Sequence, residues 1–268
     1  MLTGIDHVVV AVRDLGVAAE DFARLGLRVA PGGAASGPTI NALAGLGGAY
    51  LELLALDSAH ADRVEPGSLA DALRAFLAAR EGLFYFALRS DDVAGDVARL
   101  RAAGAAYRDP AAAAATLPDG TRRGWTVAGR PRPADLARPF LIRHDELVGG
   151  RPAWFARLGI DAPGPLGLRG VRELGVAVGD VAAGAATYAH EYDLHADDGT
   201  IRLPDATICL LPGDPRGPRD LVLDVADLAA ARAFLAGQGI ATTVRPDGAL
   251  ALDPAAARGA RLVLAAAP

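Results

Sequence analysis

Short apolar runs and short amphipathic stretches follow one another along this chain in a recurring order. The run Gly4-Ile5-Asp6-His7-Val8-Val9-Val10-Ala11-Val12 predicts a strand. Asp14 stands after it at the N-cap of a predicted helix whose apolar residues Val17, Phe22 and Leu25 share a face. Strand alternation puts Val8, Val10 and Val12 on one side, an aliphatic surface suited to cover by helices. His7, Val9 and Ala11 fall on the other, where an imidazole among small residues suits a cavity wall. The same order returns at Phe84 to Leu88 before Asp92, Leu174 to Val178 before Asp180, and Leu221 to Leu223 before Asp227. Twelve positions beyond Asp14, Asp92 and Asp227 stand Gly26, Gly104 and Gly239, suited to the left-handed residue that ends a helix; Tyr192 takes that place in the remaining copy.

The segments after the helices also repeat. Asp119-Gly120, Asp198-Gly199 and Asp247-Gly248 lie between apolar runs and mark tight hairpins, with Pro31-Gly32-Gly33 as the first copy's turn. Each copy therefore reads strand, helix and three further strands, and the chain holds four such βαβββ modules, at 1–57, 82–145, 168–213 and 217–265. Ser68 caps a connecting helix over 68–80 with a stripe of Leu69, Leu73, Phe76 and Leu77. The Gly- and Pro-rich stretch 146–167 predicts a linker between a first domain, 1–145, and a second, divergent one, 168–268. Within it Ala153-Trp154-Phe155 is expected to pack against one pair of modules.

Composition narrows the chemistry. With 51% hydrophobic residues a large core is assured, and the net charge of −5 without an arginine-and-aromatic cluster argues against nucleic acid. Every basic side chain other than histidine is arginine, which excludes a Schiff-base lysine and a phosphate-loop lysine. Cys209 is the single cysteine, so neither an intrachain disulfide nor a thiolate zinc cluster can form. No apolar run approaches the ~20 residues of a membrane span, and no export-signal pattern opens the sequence, so the expected location is the cytoplasm.

Asp6-His7-Val8-Val9, Asn41-Ala42-Leu43 and Gly48 to Leu53 in the first module, with Gly120-Thr121-Arg122, Trp125 and Pro139 to Ile142 in the second, resemble the vicinal oxygen chelate superfamily, and within it the glyoxalase-like domain proteins. The resemblance is specific over 1–145; beyond 168 it rests on the repeat. It implies an α+β fold in which the four modules form paired half-open β-barrels with helices on the outer faces. It also implies metal ligands on the first and fourth strands of the modules. His7 and Glu52 match those positions and suit a divalent metal such as Zn, Mn, Fe or Ni. The second module departs from the pattern, with Tyr85 at the position of His7 and Arg143 at that of Glu52. A third ligand is then His144, if the strand shifts by one residue, or Asp220, if modules one and four pair; a site without metal is equally open. The third module holds Glu173 and Cys209 at the corresponding places.

An apolar-flanked Glu52 needs a partner: a metal, His7 as imidazolium, or an arginine such as Arg143. The resemblance makes Glu52 the catalytic base. Tyr85, Trp125 and Arg143 become the substrate-binding residues, with Arg143 gripping a carboxylate or phosphate. Arg123 could face the same cavity and grip the same group, but in a hairpin it reads more simply as a surface residue. The activity implied is lyase or isomerase chemistry on a small oxygenated substrate through an enolate-like intermediate, or dioxygenation with iron. The alternative is a metal-free small-molecule-binding or drug-sequestering protein of the bleomycin-resistance type. Either would be a monomer or homodimer with a small-molecule ligand as its partner.

Overall fold

All four aspartates cap their helices. In a computed structural model describing residues 1–268 apart from 34–36, 118–119, 132–134, 146–149 and 162, Asp14, Asp92, Asp180 and Asp227 each accept from the backbone N–H three residues on, at 2.7–3.0 Å. Each cap stops a strand and starts a helix, so the modules keep the order the sequence predicts. The first comprises β1 (Leu2–Ala11), α1 (Leu15–Arg24), β2 (Val29–Pro31), β3 (Thr39–Gly45) and β4 (Tyr50–Leu56). After α2 (Leu69–Ala79) come β5 (Gly82–Ser90), α3 (Val93–Ala102), β6 (Ala111–Thr116), β7 (Arg122–Ala128) and β8 (Phe140–His144). The segment read as a linker carries a helix, α4 (Gly150–Leu158). The third module is β9 (Leu168–Val178), α5 (Val181–Tyr192), β10 (Ala196–Asp197), β11 (Thr200–Arg202) and β12 (Thr207–Pro212). The fourth is β13 (Gly217–Val225), α6 (Leu228–Gly237), β14 (Thr242–Val244), β15 (Leu250–Leu252) and β16 (Arg261–Ala266).

Among the described residues the strands form two eight-stranded sheets, ordered β2-β3-β4-β1-β5-β8-β7-β6 and β10-β11-β12-β9-β13-β16-β15-β14. Each is a pair of modules joined by their first strands, antiparallel in β1·β5 and in β9·β13. Module one thus pairs with module two and never with module four. Val8, Val10 and Val12 enter the main core with Phe22 and Leu25 of the first helical segment, while Val9 and Ala11 pack on the other side with Phe84 and Tyr85. The positive φ that a tight turn needs is supplied at Asp198 (46°) and Gly199 (74°). The predicted turn at Asp119 lies outside the described residues. No helix among the described residues is long and apolar enough to cross a membrane.

Both sheets carry an extra residue in their leading strand. Opposite β5, Ile5 pairs with Leu88 and His7 with the next residue, Ala87, so Asp6 is unmatched, a β-bulge. Opposite β13, Val171 pairs with Leu223 and Glu173 with Val222, so Arg172 is the same bulge in β9. The halves also meet backbone to backbone. Gly82, at φ +126°, leaves no room for a side chain, since a Cβ there would lie 2.8 Å from the carbonyl oxygen of Gly259. Gly82→Ala is expected to destabilise the protein by roughly 1–3 kcal/mol through backbone strain, and by more where the contact must open. A urea midpoint equal to that of the wild type would contradict this packing of the halves.

Candidate functional site

The bulge decides how the site begins. Regular alternation would send Asp6 and His7 to opposite faces of β1, but the extra residue lets the two side chains meet. His7 Nδ1 lies 2.8 Å from Asp6 Oδ1, and His144 Nε2, from the end of β8, lies 3.2 Å from the same oxygen. Arg151 of α4 donates to Oδ2, and Arg89 Nε stands 3.9 Å away. Asp6 is wholly buried. Burial alone would raise its pKa; the hydrogen bonds from His144 and His7 and the charge of Arg151 outweigh it and hold the carboxyl well below the usual carboxylate range. An ionised carboxylate only accepts, so both imidazole nitrogens facing it carry hydrogen. Burial lowers the pKa of His144, against the opposing pull of Asp6. A neutral His144 with its proton on Nε2 leaves Nδ1 as a lone pair, buried and without a partner among the described residues.

With Nδ1–H committed to Asp6, His7 turns Nε2 toward Glu52 Oε2 at 3.5 Å. Its ring stacks on Tyr50, with centroids 4.6 Å apart, and meets the edge of Phe140 at 5.3 Å. Glu52 Oε1 accepts from Asn41 Nδ2 at 2.5 Å, leaving Oε2 free for other work. Asp6, His7 and Glu52 therefore form a chain from a sealed carboxylate to one that reaches a cavity of about 250 Å³. That cavity occupies the inner face of the first sheet. His7, Asn41, Glu52, Arg123 and His144 are its polar wall, and Trp125, Val127, Phe140 and Ile142 the apolar one.

Arg123 corrects the surface reading. Only 5% of the residue is exposed. Its guanidinium lies over the rings of Trp154 at 4.5 Å and Trp125 at 5.0 Å, because α4 folds across the hairpin and buries Trp154 and Phe155 against Tyr50 and Leu43. Two indole faces offset part of the cost of burying that charge. Nε and Nη1 nonetheless have no hydrogen-bond partner among the described residues.

Of the residues expected at the site, His7, Glu52 and Trp125 come together, and so does His144. Arg143 does not. The parallel register sets Phe140 beside Ala87, two residues past Tyr85, as it sets Glu52 beside Val9, two residues past His7. Phe140 is thus the counterpart of Glu52, and Arg143 is exposed, donating from Nη1 to the Asp91 carbonyl at 3.5 Å. Tyr85 borders a neighbouring cavity instead. Asp220 belongs to the other sheet, where Arg261 Nε holds it at 2.6 Å; the pairing of modules one and two keeps it from His7. Asp6, Asn41 and Arg151 are partners that residue-by-residue reading missed. For Arg151 the one signal was the nearby Trp154-Phe155, whose bulk required something to pack on.

A divalent metal is not well served here. His7 and Glu52 offer two donors from the expected positions, but the second module presents Tyr85 and Phe140, and His144 spends Nε2 on Asp6. Among the described residues no three His, Cys, Asp or Glu side chains are placed to hold a metal ion. A catalytic centre takes about three protein ligands, and the Arg123 guanidinium on the same cavity adds repulsion for a cation. The described residues do not fit a resident metal.

Residues 5–192 match the family described as "Glyoxalase-like domain". No curated protein matches the sequence. A hypothetical protein from Staphylococcus aureus shares the fold over 100% of both chains, with a TM-score of 0.73 at 13% identity. A mutant of 4-hydroxymandelate synthase from Streptomyces coelicolor gives 0.61 at 14% identity over 99% of this chain and 93% of that one. A xylose isomerase-like TIM barrel/4-hydroxyphenylpyruvate dioxygenase fusion protein gives 0.54 at 14%, over 99% of this chain and 49% of its own length. At such identities the likeness is one of fold.

Proposed function

The chain belongs to the glyoxalase-like domain family of the vicinal oxygen chelate superfamily, and from that premise we propose an enzyme that moves a proton beside the carbonyl of a small oxyacid, with its own side chains in place of a metal. The observation that carries this reading is a buried guanidinium, with two donors that lack a hydrogen-bond partner among the described residues, on the same cavity as the Asp6–His7–Glu52 chain. A buried cation without a counter-charge is costly unless a ligand supplies one, and planar paired N–H groups suit a carboxylate or an enolate oxygen.

In the proposed step, Arg123 binds the oxyanion while the apolar wall of Trp125, Phe140 and Ile142 holds the carbon skeleton. Glu52 Oε2 takes the proton as the C–H bond breaks. The electron pair moves to the carbonyl, giving an enolate whose charge falls to Arg123. His7 Nε2, 3.5 Å from Glu52 Oε2 with its ring held by Asp6 through Nδ1, can share the proton with Glu52. With an α-hydroxy carbonyl the intermediate is an enediolate; passage of the hydroxyl proton to the other oxygen and return of the carbon-bound proton to the neighbouring carbon completes an isomerisation, while return to the same carbon gives exchange with solvent.

The experiment is deuterium exchange at carbon, followed by NMR, over a panel of 2-oxo and 2-hydroxy acids with chelator-treated protein. Exchange at the same rate before and after chelation is expected. Acids that bind without exchanging would leave the sequestering alternative. Arg123→Met is expected to weaken acid binding about 10- to 100-fold, the worth of a hydrogen bond to a charged group. It should also raise the unfolding midpoint, because a buried unpaired charge has gone. Lower stability with unchanged binding would mean that Arg123 serves the fold alone.

A further inference from the structure

A second cavity, of about 190 Å³, adjoins the first and shares Leu69, Val127 and Phe140 with it. The ring of Phe140 lies between the two chambers, with centroids 5.3 Å from His7 on one side and 5.1 Å from Tyr85 on the other. Tyr85 is 2% exposed, and its hydroxyl is buried without a hydrogen-bond partner among the described residues. Burial pushes the phenol up, so it stays a neutral donor. Beside it Arg130 presents Nη1, also buried and without a hydrogen-bond partner among the described residues; it forms an ion pair at 3.6 Å with Glu191, a carboxylate shared with Arg138. Arg108 stands exposed on the same cavity, and none of its described lining residues is acidic. The larger hollow on the second sheet is different in kind, for the carboxylates Asp220 and Asp253 stand in its lining beside Arg245 and Arg261.

We propose that Tyr85 and Arg130 form a second anion subsite, so that the substrate is two-headed, with an oxyanion at each end and an apolar middle lying along Phe140, Val127 and Leu69. This rests on the anion-binding reading of the first cavity. Tyr85 keeps the substrate-binding role its place in the module suggested, from a chamber of its own, and it selects for length and second charge while Glu52 does the chemistry.

The test compares two probes, phenylacetate with one carboxylate and 1,4-phenylenediacetate with two, by quenching of tryptophan fluorescence. The chain's two tryptophans, Trp125 and Trp154, both flank Arg123, so the signal reports the first cavity. The diacid is expected to bind wild-type protein at least tenfold more tightly. That advantage should vanish in Tyr85→Phe and shrink in Arg130→Gln, with phenylacetate affinity unchanged and an unaltered near-UV circular dichroism spectrum. Equal affinities in the wild type, or an advantage that survives both substitutions, would overturn the subsite and leave the proposed function standing. If neither acid binds the wild type, the anion reading of the first cavity falls, and the subsite falls with it.

Discussion

Asp6→Asn is expected to cost about 3–5 kcal/mol of folding stability, the loss incurred when one partner of a buried ionic cluster is removed. The substitution keeps the volume of the side chain and takes its charge. The new amide would face three groups that now donate to a carboxylate, from His7, His144 and Arg151. Arg151 would then be a half-buried cation facing a neutral partner, and His7 would lose the group that fixes its ring. The pH dependence gives an independent check. The folded pKa of Asp6 lies below its unfolded value of about 3.9. Asp6 therefore contributes its full stabilisation above about pH 4 and loses it as pH falls toward the folded value. Urea midpoints from pH 3 to 7 should decline on the acid side in the wild type, and less steeply in Asp6→Asn. Parallel acid limbs in the two proteins would show that the carboxylate is not the group the fold depends on.

Glu52→Gln is the substitution expected to act on chemistry alone. Loss of a positioned general base is worth about 10²- to 10⁴-fold in rate, and exchange at carbon should fall by that much. Binding should hold or improve, since the cavity loses a negative charge and Arg123 is untouched. Stability should change little: the side chain is 17% exposed, and an amide oxygen can still accept from Asn41. Stopped exchange with an unchanged dissociation constant separates a base from a binding residue. Activity within tenfold of the wild type would remove Glu52 from the mechanism and leave His7 as the group to examine.

Most of the fold was legible because its signals are local. An Asp cap after an aliphatic run, or an Asp-Gly between strands, works over a few residues wherever it stands. His7 and Glu52 were legible as a motif, and Trp125 as bulk beside it. The misread residues depend on relations that residue types do not encode. Arg143 was misplaced by three positions because the register of β8 on β5 is set by packing along the whole sheet. Asp220 was considered because nothing in a repeat says which copies pair. Arg123 looked exposed because the helix that covers it comes from a stretch whose Gly and Pro content reads as connection. Asp6, at the centre of the network, was hidden by the alternation rule itself.

The bulge that breaks that rule occurs twice. In β9 it carries Arg172, which pairs with Asp224 at 2.6 Å, and then Glu173, with Thr207 alongside where Tyr50 sits beside His7. The extra residue is thus a property of the duplicated scaffold, and among the described residues it carries an acid–imidazole pair in the first sheet alone. For protein engineering the second sheet is a mount already cut to shape. Installing the acid–imidazole pair there, as Arg172→Asp with Glu173→His, changes two side chains on a strand that is already bent, whereas a straight strand would first have to be remade.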